Sequence, residues 1–171
     1  MGAFLEDIVE AHRGDDLEIS IVLSPDTKGD PQPQVWRAPE LLHGLGNIIE
    51  NAADFAKSKV RVQARWNASQ LRISVEDDGP GFAPDIFERI GEPYITSRPG
   101  HYALGETEIG PSGAFEKHEG MGLGFFIAKT LIEQTGGTVS VVNPASGGAR
   151  VNIQWPRNTI DGEGPPGRGE G

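Results

Sequence analysis

Between Lys59 and Asp77 the chain alternates apolar and polar residues twice, on either side of the short polar break Asn67-Ala68-Ser69. Val60, Val62, Ala64 and Trp66 share one side of the first run, and Leu71, Ile73 and Val75 share one side of the second. A period of two marks a half-buried strand, and two such runs across a short break make an antiparallel hairpin. A slip of one residue would turn every one of these apolar side chains to water, so the hairpin commits one sheet face to a core. The rest of the chain must cover that face.

The flanking segments supply the cover. A short opening helix is predicted over Phe4 to His12 and a strand over Leu17 to Leu23, with a second short strand containing Val35 and Trp36 after a turn-rich loop. From about Pro39 to Ala56, Leu41, Leu45, Ile48, Ile49, Ala52 and Ala56 form a stripe at helical spacing. A short helix is expected around Pro84 to Arg89. Helical pattern returns with Leu123, Phe126, Ile127 and Leu131, and Gly136-Gly137 supplies its stop. A last hairpin joins Thr138 to Asn143 with Ala149 to Trp155. The predicted architecture is an α/β two-layer sandwich, one mixed and mostly antiparallel sheet with helices on a single face. One domain is expected over 1–156, followed by a disordered tail over 157–171, where too little apolar surface remains to order the chain.

With a formal net charge of −10, the chain is a poor partner for nucleic acid or an anionic membrane surface. An anionic ligand would need a cationic mediator. There is no cysteine, hence neither disulfide nor thiol chemistry within this chain, and no apolar run approaches the roughly 20 residues that cross a bilayer.

Four features carry chemistry. By strand parity Asp77 points with Leu71, Ile73 and Val75 toward the core, at the head of Asp77-Asp78-Gly79-Pro80-Gly81. Such a carboxylate needs partners, and because it only accepts hydrogen bonds it suits the exocyclic amine of adenine better than guanine's carbonyl. Gly79 and Gly81 let a flat group or the backbone come close. On the Pro39 to Ala56 helix, Asn47, Glu50, Asn51 and Asp54 cluster on the polar side, oxygen-bearing groups that suit a hard cation such as Mg2+. Gly120, Gly122 and Gly124 open the later helix and bare backbone N–H groups for phosphates, although the spacing is that of neither a Walker loop nor a dinucleotide fingerprint. The preceding stretch, residues 91–124, holds eight glycines in 34 positions, the composition of a functional lid or of a disordered segment, and carries Arg98 as a candidate phosphate contact.

In this order the motifs resemble the ATP-binding catalytic domain of two-component sensor histidine kinases, within the superfamily that includes gyrase, Hsp90 and MutL. "NIIENA" looks like the N box, "DDGPGF" the G1 box, "GEPYITSR" the F box and "GMGLGFFIAKTLIEQTGG" the G2 box. The likeness extends over about 17 to 156 and is greatest to the redox-responsive Reg/Prr sensor kinases. It implies the ATP-binding fold of that superfamily, with ATP and Mg2+ as ligands. Asn51 would be the metal ligand and Asn47 a second polar contact. Asp77 would receive the adenine amino group, Gly79 and Gly81 would form the base pocket, and Gly120, Gly122, Leu123 and Gly124 would face the phosphates. The γ-phosphate would pass to a histidine on a separate dimerisation domain, and from there to a response regulator.

The family's His-Glu-x-x-Thr-Pro pattern is absent, so the resemblance implies a monomeric cytoplasmic piece of a homodimeric kinase anchored in the inner membrane. Two positions depart from the family: Asp54 stands where many members carry a basic residue, and Ala149 where many carry threonine. The alternatives are a gyrase- or Hsp90-type ATPase and a non-catalytic nucleotide sensor. Those ATPases use a glutamate as general base where Asn47 stands, and here Glu50, one turn along, would have to serve.

Overall fold

The computed structural model describes residues 1–14, 16–82 and 123–162. Its helices are α1 (Gly2–Glu10), α2 (Pro39–Phe55), α3 (Leu123–Gln134) and α4 (Arg157–Ile160), and its strands β1 (Glu18–Pro25), β2 (Lys59–Trp66), β3 (Gln70–Asp77), β4 (Thr138–Val142) and β5 (Arg150–Pro156). The strands form one sheet in the order β1-β2-β3-β5-β4. β1 runs parallel to β2, and the other pairs are antiparallel.

The hairpin register is the one the alternation demands, with Val62 opposite Val75, Ala64 opposite Ile73 and Trp66 opposite Leu71. Ile73 and Leu71 in turn face Ile153 and Trp155 of β5. These residues are all buried and join Leu5 and Val9 of α1, Leu41, Leu45, Ile48 and Ile49 of α2, and Ala128 and Ile132 of α3 in one core. Each full burial of such a side chain is worth roughly 1.5–3 kcal/mol relative to exposure. The other sheet face is polar. There Arg65 and Arg72 lie directly opposite each other, and Asp26 pairs with both, which offsets their repulsion.

α2 begins with Pro39, whose fixed φ suits the first helical position, and Glu40 adds a favourable charge to its first turn. It packs against α3 at Gly44, where a Cβ would lie 2.9 Å from Ile132 Cδ1. A side chain there would have to displace Ile132. α3 ends in a Schellman turn. Gly136 takes a φ of +82°, Gly137 N–H donates to the Ile132 carbonyl and Gly136 N–H to that of Glu133.

Three expectations need correction. Val35 and Trp36 do not form a strand; Val35 makes an isolated bridge with Asp161, and Trp36 Nε1 donates to the Thr159 carbonyl. The core side of α3 carries Ala128 and Ile132, whereas Ile127 is exposed. Its first half is apolar on several sides, so the phase of the stripe is not readable from spacing alone; in the fold Ile132 and the Ala128 backbone lie against Gly44 of α2. The tail does not start at residue 157. Arg157–Ile160 is helical, and Ile160 is fully buried. Arg157 donates to the Asn67 and Pro31 carbonyls and pairs with Asp161, which clasps the chain to the far end of the hairpin. Residues 163–171 lie outside the described ones, as does the helix expected around Pro84 to Arg89.

Candidate functional site

Asp77 closes a row across the sheet in which Ile19 pairs with Val60 and Val60 with Asp77. It is 7% exposed, one of two buried polar residues among the described ones. Its Oδ1 accepts from the Gly79 N–H at 2.8 Å and, at 3.4 Å, from the Ala149 N–H. No described lysine or arginine pairs with it, and no described residue donates to Oδ2. Burial pushes its carboxyl above the ordinary aspartate range, and the two backbone donors only partly oppose this. What remains is a buried acceptor held in place through one oxygen, with the other left for a donor from outside.

Asp78 points the other way. Its Oδ1 accepts from the N–H groups of Lys57, Ser58 and Lys59 at 2.7, 3.0 and 3.1 Å, and its Oδ2 from the Ser58 hydroxyl at 2.8 Å. The Ser58 amide foremost, with these other donors, holds its carboxyl well below the usual range. Such a depressed group stabilises the fold at any pH above the unfolded value near 3.9, and that contribution is lost only in strong acid.

The glycines around these acids have steric reasons of their own. A Cβ at Gly79 would collide with the Phe55 carbonyl oxygen, at the end of α2. Gly81 has φ +79°, and a Cβ there would lie 2.8 Å from the Gly148 carbonyl oxygen. Gly148, at φ +80°, is pressed against the backbone of Asp77. Asn143 takes the Phe82 N–H at 2.9 Å and donates to the Phe82 carbonyl at 2.7 Å. The β4–β5 turn therefore grips both ends of the Asp77–Phe82 stretch. Sequence reasoning missed Asn143 and Gly148; the Asn-Pro and Gly-Gly steps that bound this turn were the available signal.

On α2, Asn47 and Asn51 are half-buried, whereas Glu50 and Asp54 are exposed. Asn51 Nδ2 donates to the Asn47 carbonyl at 2.7 Å, one turn back. That bond fixes the amide and leaves Oδ1, a hard oxygen, as the atom on offer. The same amide nitrogen lies 3.6 Å from where a Cβ of Gly124 would stand. The structure thus brings Asn51 against the first turn of α3, whose opening N–H groups have no intrahelical partner. Among the described residues no cluster of three His, Cys, Asp or Glu could hold a metal alone. A single asparagine oxygen fits Mg2+, which takes one or two protein ligands and fills its shell with water and phosphate.

The remaining candidates, Arg98, Gly120 and Gly122, lie outside the described residues, as does the expected lid up to 122. Leu123 and Gly124 are the first two residues of α3. No helix among the described residues is long and apolar enough to cross a membrane.

Residues 37–159 match the histidine kinase-, DNA gyrase B- and HSP90-like ATPase family. Sensor histidine kinase RegB of Cereibacter sphaeroides is 38% identical over 168 residues, covering 91% of this chain and 35% of that protein. Sensor protein kinase CarS of Pseudomonas aeruginosa is 32% identical over 71% of this chain and 23% of its own length. The chain thus spans about a third or less of these curated relatives. Among solved structures, full-length ShkA in complex with AMPPNP superposes with a TM-score of 0.66 at 24% identity, covering 97% of this chain and 31% of that one. The histidine kinase domain of the E. coli osmosensor EnvZ gives 0.60 at 19%, covering 99% and 93%. These two likenesses show the two-layer fold.

Proposed function

The chain belongs to the histidine kinase-, DNA gyrase B- and HSP90-like ATPase family, and from that membership we propose that it binds ATP with Mg2+ and delivers the γ-phosphoryl group to a histidine on a separate dimerisation domain. The observation that carries this reading is Asp77, a buried carboxylate with Oδ1 committed to backbone amides and Oδ2 without a described donor. The adenine amino group donates to it. Asn51 Oδ1 holds the metal, and the N–H groups at the start of α3 face the phosphates. Mg2+ held there would offset the negative charge of the phosphates. The histidine nitrogen attacks the γ-phosphorus in line as the bond to the β-γ bridging oxygen breaks, and ADP leaves. This chain's share is to orient the nucleotide.

The identity to RegB supports the finer assignment to a redox-responsive sensor kinase, a membrane-anchored homodimer that passes phosphate to a response regulator. Any sensing thiol lies outside these residues, which include no cysteine. When the chain is mixed with the cognate histidine domain and ATP labelled at the γ-phosphate, acid-labile phosphate is expected on that domain. Asn51→Ala should cut the transfer by about 100-fold at saturating Mg2+. Steady phosphate release without any phosphohistidine would favour a gyrase-type ATPase instead. The exposure of Glu50 and the presence of Asn47 in place of a glutamate speak against that outcome.

A further inference from the structure

The metal helix and the base strand meet at one bracket. α2 ends at Phe55, four residues or about one turn beyond Asn51. The Ala56 amide still donates back to Ala52, and the three amides after it, those of Lys57, Ser58 and Lys59, all converge on Asp78 Oδ1, while the Ser58 hydroxyl donates to Oδ2. The Asp78 N–H returns a bond to the Lys59 carbonyl at 3.2 Å, and the backbone of Gly79 sits so close to the Phe55 carbonyl that no Cβ fits. Asp78 is thus bonded to the turn that leaves the Asn51 helix and is joined covalently to Asp77. Two adjacent aspartates face opposite ways, one toward the ligand side and one toward the frame.

We propose that Asp78 is a positioning residue of the nucleotide site, setting the separation between Asn51 and Asp77 so that one ligand engages both at once. This rests on the nucleotide reading above. A ligand that touches only Asp77 has no need of the bracket, whereas one that also reaches Asn51 through its phosphates does. Asp78→Ala is therefore expected to weaken binding of ATP with Mg2+ by about tenfold while adenosine binding stays within about twofold. Asp78→Asn keeps a side-chain oxygen for the three amides and should restore most of the difference.

Calorimetric titration of the chain and both variants with adenosine, and with ATP plus Mg2+, reads that ratio directly. An Asp78→Ala chain with the wild-type ratio overturns the proposal and leaves the nucleotide reading standing. A wild-type chain that binds neither ligand overturns both. If Asp78→Ala does not fold, hydrogen exchange on the wild type decides, because coupling is reciprocal. The Lys57, Ser58 and Lys59 amides should gain protection with ATP and Mg2+ but not with adenosine. Equal protection by both ligands contradicts the role.

Discussion

Asp77→Asn is expected to weaken ATP binding by about 100-fold, near 2.7 kcal/mol, the scale of a charge-assisted hydrogen bond lost from a buried site. Asparagine fills the same space, and its oxygen can still accept from the Gly79 N–H, so the loss should fall on the ligand and not on the fold. Stability gives the control. Burial raises the Asp77 pKa, so the group favours the fold when protonated; that contribution is complete below about pH 3.9 and is lost as pH rises through the raised value. Above that raised value the ionised Asp77 is a liability of the empty protein, and Asp77→Asn should leave its Tm there unchanged or higher. At one ATP concentration the Tm of the wild type should rise more than that of the variant. Nucleotide affinity should also fall on acidification earlier than an exposed aspartate would cause, since a protonated Asp77 meets the adenine amine with a donor.

Gly148→Ala is expected to be the most damaging substitution to the frame. Its backbone lies at φ +80°, and an added Cβ would overlap the Asp77 carbonyl oxygen. Left-handed strain and forced displacement of the end of β3 together cost roughly 2–5 kcal/mol. For a chain of this size that lowers Tm by on the order of 10 °C, measured by calorimetric melting. Gly147→Ala is the matched comparison, for it has φ +91° but open space around the added carbon. It should cost only the strain, about 1–2 kcal/mol. Gly148→Ala should also reduce nucleotide affinity in whatever fraction remains folded, because Ala149 and Asp77 would be pushed apart.

What could be read in advance follows from the range of the interactions. Strand parity alone placed Asp77 on the buried face, and helical spacing placed Asn47 and Asn51 together, because both rest on neighbours within a few residues. Gly136-Gly137 announced the end of α3 for the same reason. The bracket at Asp78 spans about 20 positions, and no local spacing marks it. The clasp by Arg157 reaches Pro31 across 126 positions, and nothing local marked residues 157–160 as ordered. The buried face of α3 packs against Gly44 on another helix, a contact that no local spacing announces. Gly79 was assigned to a base pocket, and its contact with the end of α2 gives it a second reason to be glycine.

Base preference bears most directly on the central claim, because the phosphates and Mg2+ are common to all nucleoside triphosphates. Titrating the chain with ATP and with GTP, each with Mg2+, isolates what Asp77 reads. An acceptor-only carboxylate facing the base should make ATP bind about 100-fold more tightly, since guanine presents a carbonyl where adenine presents an amine. Equal affinity for the two would mean that Asp77 does not read the base.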